Sequence, residues 1–316
     1  MITEPHHLLS QEHLLLRDFE HWFTQLPLRL PGVSRDSLQP LRDRVRSSLD
    51  GVAALSCLEL DAARAMTIEH RDPEEFLVTL DGGIYFSQFD FSFAMTRAVT
   101  RPSDVVGGRT IRVAREGFGA FWAQVAMLRR AVDAKGANTI VVSDDGISTG
   151  LSLAEVIRQL AGQYLEVSRI EVLVNPHHME AVQDVPVQTL YSGNISEWNH
   201  ERDFFWGSPT GGISLLAPDN MNSLGGIPYS FSSALLSQKV GAPAEALSQI
   251  RRELLEVNVD FWSILQHAAG RTLRLRDCKR LSWLVSFSEE LTERTPMENV
   301  IGWFIDNDPP PEGAVT

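Results

Sequence analysis

Apolar residues recur along this chain with more than one period, and each change of period marks a change of expected structure. Near the start, Leu15, Phe19, Trp22, Phe23 and Leu26 fall at helical spacing, with Ser10 as a cap and Pro27 as a stop, which predicts a helix. Leu38, Leu41, Val45, Leu49 and Val52 predict a second helix, with Arg42, Arg44 and Arg46 as its solvated face. Past Pro73 the pattern shortens. Residues 76–80 and 84–91, joined by Asp81-Gly82-Gly83, read as a hairpin, and 94–100 and 110–113 as further strands. From residue 120 helices and strands alternate: a helix over 120–134 with Phe121, Val125, Leu128 and Val132 inward, a strand at 139–142, a helix, then strands at 170–174 and 187–191. After residue 230 the helical period returns, with Leu247, Ile250, Leu254, Val257, Phe261 and Leu265 on one face and Pro243 at a helix start. The expected fold class is α/β, with a doubly wound, mostly parallel sheet and helical N- and C-terminal additions. Expected boundaries are a helical segment over 1–69, the α/β core over 70–229, a helical segment over 230–308 and a disordered, proline-rich tail over 309–316.

Bulk properties narrow the function. A chain of 316 residues, 43% hydrophobic, can bury a substantial core. Its net charge of −13 argues against broad, sequence-independent binding of nucleic acid. One local basic run, Arg271, Arg274, Arg276, Lys279 and Arg280, reads first as the wet side of a helix, with contact to nucleic acid or an acidic partner as the alternative. Cys57 and Cys278 are far apart and lack metal-ligand spacing, which suggests a reducing compartment. There is no N-terminal signal pattern, and no run reaches the roughly 18 apolar residues of a membrane span, so the expected location is the cytoplasm. His6 and His7 read as terminal and mobile, without a partner for a metal site, and His177 and His178 as solvent-facing rather than catalytic.

The chemistry concentrates in residues 139–153. Thr139-Ile140-Val141-Val142 is the β-branched run of a strand buried on both faces. Asp144 and Asp145 follow where that strand emerges. Then comes the small, hydroxyl-rich run Gly146-Ile147-Ser148-Thr149-Gly150-Leu151-Ser152, and Leu153, Val156, Ile157 and Leu160 open a helix. Unpaired N–H groups at a helix start, the positive end of its dipole and the Ser148, Thr149 and Ser152 hydroxyls would cradle a phosphate monoester, with Gly146 and Gly150 permitting close approach. Two carboxylates would repel that phosphate. They suit vicinal sugar hydroxyls, or a divalent cation held with the sugar. Phosphate on one side and diol on the other describes a ribose 5-phosphate. The plain alternative is a βα unit whose Asp-Gly turn and Ser/Thr cap are structural.

Residues 140–153 resemble the signature with which type I phosphoribosyltransferases bind 5-phosphoribosyl 1-pyrophosphate (PRPP). The resemblance implies that Asp144 and Asp145 bind the ribose 2- and 3-hydroxyls, and Mg²⁺ through those hydroxyls or water, while residues 148–152 bind the 5-phosphate. Two positions depart from the pattern: many members have Gly where this chain has Leu151, and several purine enzymes have aspartate where it has Ser148. Family members also carry a mobile loop ahead of the signature strand. Residues 101–109 are its candidate here, with Arg97, Arg101 and Arg109 facing the leaving pyrophosphate. Downstream, the run 198–212 is expected to stack a base and support pyrophosphate through Arg202, Asp203, Phe204 and Phe205, unless its aromatics form a satellite core. The function this implies is Mg²⁺-dependent transfer of phosphoribosyl to a nitrogen nucleophile, with release of pyrophosphate. The rival is a non-catalytic PRPP or nucleotide sensor in a bacterial stress or defence system. Such a sensor would act on a protein partner, or a second copy of the chain, through its helical segments. No G-x-G-x-x-G or Walker-type loop supports a third class.

Overall fold

The computed structural model describes residues 12–24, 26, 30, 32–50, 55–59, 72, 74–80, 89–101, 104, 110–115, 119–191, 195–216 and 223–309. Its centre is a six-stranded sheet built from β3 (Glu75–Thr79), β4 (Phe91–Ser92), β7 (Thr139–Gly146), β8 (Val167–Val174), β9 (Ala181–Val182) and β10 (Val185–Thr189). Their order is β4-β3-β7-β8-β10-β9, parallel throughout except that β9 runs antiparallel to β10. The sheet grows outward in both directions from the β3–β7 pair, so the fold is α/β and doubly wound. In such a sheet ligands bind beyond the carboxyl ends of the strands where the winding reverses. That place is the end of β7.

The two helices that flank this strand follow from their apolar spacing. Helix α3 (Phe121–Lys135) buries Val125, Leu128 and Val132, and α4 (Leu151–Ala161) buries Leu153, Val156, Ile157 and Leu160. Both pack on Phe76, Val78, Ile140, Val142, Ile170 and Val172, the alternate residues that one face of the sheet must present. A second, four-stranded sheet has the order β13-β12-β5-β6, from β5 (Met95–Val99), β6 (Ile111–Ala114), β12 (Ile213–Leu216) and β13 (Ser223–Ile227). A third, parallel and three-stranded, joins β11 (Ile195–His200), β1 (Glu12–Arg17) and β2 (Leu55–Glu59).

Helices from both sides of the sheet region in sequence meet in the largest core, although the described part of 1–69 also holds the strands β1 and β2. From the N-terminal side come α1 (Phe19–Thr24) and α2 (Arg35–Asp50), and from the C-terminal side α5 (Ser233–Val240), α6 (Ala244–Ala269) and α7 (Met297–Asp306). Leu38, Leu41 and Val45 of α2 pack with Leu254, Phe261 and Leu265 of α6, and Phe304 of α7 belongs to the same core. No helix among the described residues is long and apolar enough to cross a membrane.

Several expectations are corrected. Residues 12–17 are a strand, not the start of a helix: Leu15 sits on β1 and Phe19 and Trp22 on α1, but all three enter one core, so their spacing imitates a helix. Where the second strand of the hairpin expected over 76–91 is described, it is not antiparallel: β4 runs parallel to β3 with Val78 opposite Phe91. Residues 81–88, between the two, lie outside the described residues, as do Ser10 and residues 310–316. Pro309, placed in the expected disordered tail, is buried, and Asp308 before it accepts from the Ser233 amide. The basic run is mostly taken up internally. Arg271 pairs with Asp277 at 3.0 Å, Arg274 donates to the Arg294 carbonyl, and Arg280 donates to the Gly211 carbonyl at 2.9 Å.

Candidate functional site

Strand β7 delivers Asp144, Asp145 and Gly146 at its carboxyl end, and residues 147–150 lead directly into α4. Gly150 has a left-handed φ of 68°, a conformation in which a side chain is strained. No side chain caps α4. Ser152 of its first turn instead accepts a hydrogen bond from Arg112 Nε at 2.7 Å. The structural reading of this turn therefore loses its cap, and the helix start faces a cavity of about 280 Å³ lined by residues 144–153.

Every other wall of the cavity comes from a distant part of the chain. The second sheet supplies Arg97 from β5, Arg112 from β6 and Arg115 just after it. Arg97 and Arg112 are directly opposite each other in the antiparallel β5–β6 pair. Like charges so placed repel, and among the described residues neither guanidinium is in an ion pair, although Glu155 lies near enough to Arg112 to feel its charge. Strand β11 supplies Glu197, Trp198 and His200. The 3₁₀ turn Glu201–Asp203 supplies Arg202 and Asp203, and Tyr229 and Lys239 complete the wall.

The two carboxylates of the acid turn do different work. Asp144 is half-buried at the cavity wall, and its Oδ1 accepts the Asp145 amide at 3.0 Å. Asp145 is held from behind: its Oδ2 accepts from Trp198 Nε1 at 2.8 Å and lies 2.7 Å from His200 Nε2. The other ring nitrogen of His200 is 3.2 Å from Asp18 Oδ2, which also pairs with Arg202 at 2.9 Å. Burial and the neighbouring Arg202 both oppose a charged imidazole, yet the hydrogen bond to Asp145 and the adjacent Asp18 carboxylate prevail and push His200 up to about 10. Burial likewise opposes a charged Asp145, but His200, then Trp198, hold its carboxyl well below the usual range. Behind this row, Glu201 is sealed against Arg42 at 2.6 Å; burial pushes its carboxyl up to about 7 against the pull of Arg42. Gly146 is fixed by the same packing, since a Cβ there would stand 2.5 Å from the Trp198 ring.

The cavity thus brings together Asp144, Asp145, Gly146, Ile147, Ser148, Thr149, Gly150, Leu151 and Ser152 as the sequence suggests, and adds Arg202 and Asp203 to the wall. Asp203 serves the turn itself, accepting the Gly212 amide at 2.7 Å. Phe204 and Phe205 are corrected. They are 0% and 2% exposed in the main core, where Phe205 packs against Trp22 and Phe261, and neither ring can stack a ligand base. The loop candidate 101–109 is described only at Arg101 and Asp104, and Arg109 lies outside the described residues. Sequence reasoning missed Arg112, Arg115, Trp198, His200, Tyr229 and Lys239. Of these, only Trp198 and His200 carried a signal, through their place in the aromatic run 198–212.

Among the described residues, no group of three or more His, Cys, Asp or Glu could hold a metal ion by itself. An Mg²⁺ ion that keeps most of its waters needs only one or two protein carboxylates, and Asp144 at the cavity wall is of the kind that would meet one. Asp145 is poorly suited to touch it, because a charged imidazole already occupies its Oδ2. No family model, curated protein or solved structure matches this chain.

Proposed function

We propose that the cavity binds PRPP and that the protein transfers its phosphoribosyl group to a nitrogen nucleophile, releasing pyrophosphate. One observation carries this reading: a helix start without a side-chain cap, an acid turn and two facing arginines that make no ion pair among the described residues share one cavity at the switch point of a doubly wound sheet. The amides and hydroxyls of residues 148–152 hold the 5-phosphate. Asp144 accepts hydrogen bonds from the ribose hydroxyls. As the bond from the anomeric carbon to pyrophosphate breaks, positive charge grows on the sugar and negative charge on the leaving group. Arg97 and Arg112 stabilise the latter, in place before the reaction begins. Mg²⁺, when bound with the diphosphate, would supply further neutralisation.

A second reading keeps the ligand and drops the turnover. It is favoured by the row Asp145–His200–Asp18, which ties the acid turn to the junction of β1 and α1 and hence to the helical ends. Incubation with PRPP, Mg²⁺ and a panel of nitrogen heterocycles separates the two. Pyrophosphate release with at least one heterocycle is expected. PRPP binding without release across the panel transfers the case to the sensor, and failure to bind either PRPP or ribose 5-phosphate overturns both readings.

A further inference from the structure

The ligand cavity extends past the groups that a ribose 5-phosphate needs. Starting at the helix, Ser152 meets Arg112, Arg112 faces Arg97 across the strand pair, and Arg97 and Lys239 line the same cavity. Lys239 stands in the last turn of α5, and its carbonyl is pinned by the Asn199 side chain at 3.0 Å. Its ammonium lies 5.0 Å from the centre of the Tyr229 ring. Among the described residues that ammonium makes no ion pair and no hydrogen bond, although it is partly withdrawn from water and lines the cavity. Burial, and after it Arg97, lower its affinity for a proton, with Glu197 and Asp203 opposing from a distance. A partly desolvated cation sharing a cavity with a second one, and making no ion pair of its own among the described residues, is costly unless an anion joins them.

We infer that Lys239 and Arg97 form a second oxyanion subsite in this cavity, separate from the loop at the start of α4 and suited to a phosphate or carboxylate group. The subsite deepens the reading above and rests on it only for what fills the other end. Two sources supply such a group: the diphosphate of the same sugar ligand, or an acidic substituent on the acceptor. Either way Lys239 is a binding residue, with its ammonium beside the Tyr229 ring.

Inorganic pyrophosphate and ribose 5-phosphate, titrated calorimetrically into the full chain and its Lys239→Met and Lys239→Arg variants, test this. If the diphosphate fills the subsite, Lys239→Met weakens pyrophosphate binding at least about tenfold, Lys239→Arg restores much of it, and ribose 5-phosphate binds all three proteins alike. If an acceptor fills it, pyrophosphate is unaffected. The PRPP-saturated wild type then prefers a pyridine carboxylate to its neutral carboxamide, and Lys239→Met loses that preference. A folded Lys239→Met protein, with an unchanged thermal midpoint, that alters neither measurement overturns the subsite. Loss of ribose 5-phosphate binding by the wild type instead removes the reading of the other end and leaves the pyrophosphate result standing.

Discussion

Asp145→Asn is expected to lower the free energy of unfolding by about 3 kcal/mol near pH 6, because it strips one counter-charge from a buried imidazolium. The His200 side chain is 7% exposed and sits between Asp145, 20% exposed, and Asp18, 0% exposed. Removing one partner leaves a charge that can neither find water nor keep its proton comfortably. The pH dependence has a definite sign. His200 is raised from its ordinary 6.5 to about 10, so its stabilisation is complete below pH 6.5 and is lost as pH rises through 10. Asp145 is lowered from 3.8, so its part is present above that value and fades as pH falls below it. The pair is therefore whole between about pH 4 and 6.5. Glu201, raised from 4.5 to about 7, also costs stability as pH rises, but it does so equally in wild type and variant. Urea unfolding at pH 6 and pH 9 should show a wide gap between the two proteins that narrows at the higher pH. Equal stability at pH 6 would contradict the row of charges.

Replacing both Arg97 and Arg112 by Met should weaken PRPP binding at least about a hundredfold, since each charged hydrogen bond to a phosphate contributes about 1.5–3 kcal/mol. Stability should change little. The two guanidiniums face each other across β5 and β6 without an ion pair among the described residues, so their removal relieves a repulsion of about 0.2–1 kcal/mol, which offsets the loss of the hydrogen bond from Arg112 to Ser152. Weaker binding together with nearly unchanged thermal stability is the signature of residues kept for a ligand. A double variant that binds PRPP normally, or that melts substantially earlier, would show that the pair is structural.

The unit from β7 to α4 was legible because its signals are local: a β-branched run, two acids, a hydroxyl-rich turn and an apolar helical face follow one another without interruption. The helices α2 and α6 were legible for the same reason. What escaped depends on contacts between remote segments. Leu15 and Trp22 share a core from different elements, so their spacing misled. Nothing near Arg112 in the sequence says that β6 will set it opposite Arg97, nor that α5 will swing Lys239 into the same cavity. Phe204 and Phe205 were misread because an aromatic pair beside a Gly-rich turn looks the same whether it faces a ligand or a core. Phe205 is buried by Trp22 and Phe261, which come from opposite ends of the chain, and Phe204 packs edge-on to Tyr229.

The most direct trial of the ribose assignment is a calorimetric titration of PRPP with Mg²⁺ into the wild type and into Asp144→Asn. The wild type should bind, and the variant should lose at least about tenfold in affinity while keeping its thermal midpoint, because Asn at this cavity-wall position still accepts the Asp145 amide but no longer offers a charged acceptor to the sugar. Binding of the same strength by Asp144→Asn, or none by the wild type, would contradict it.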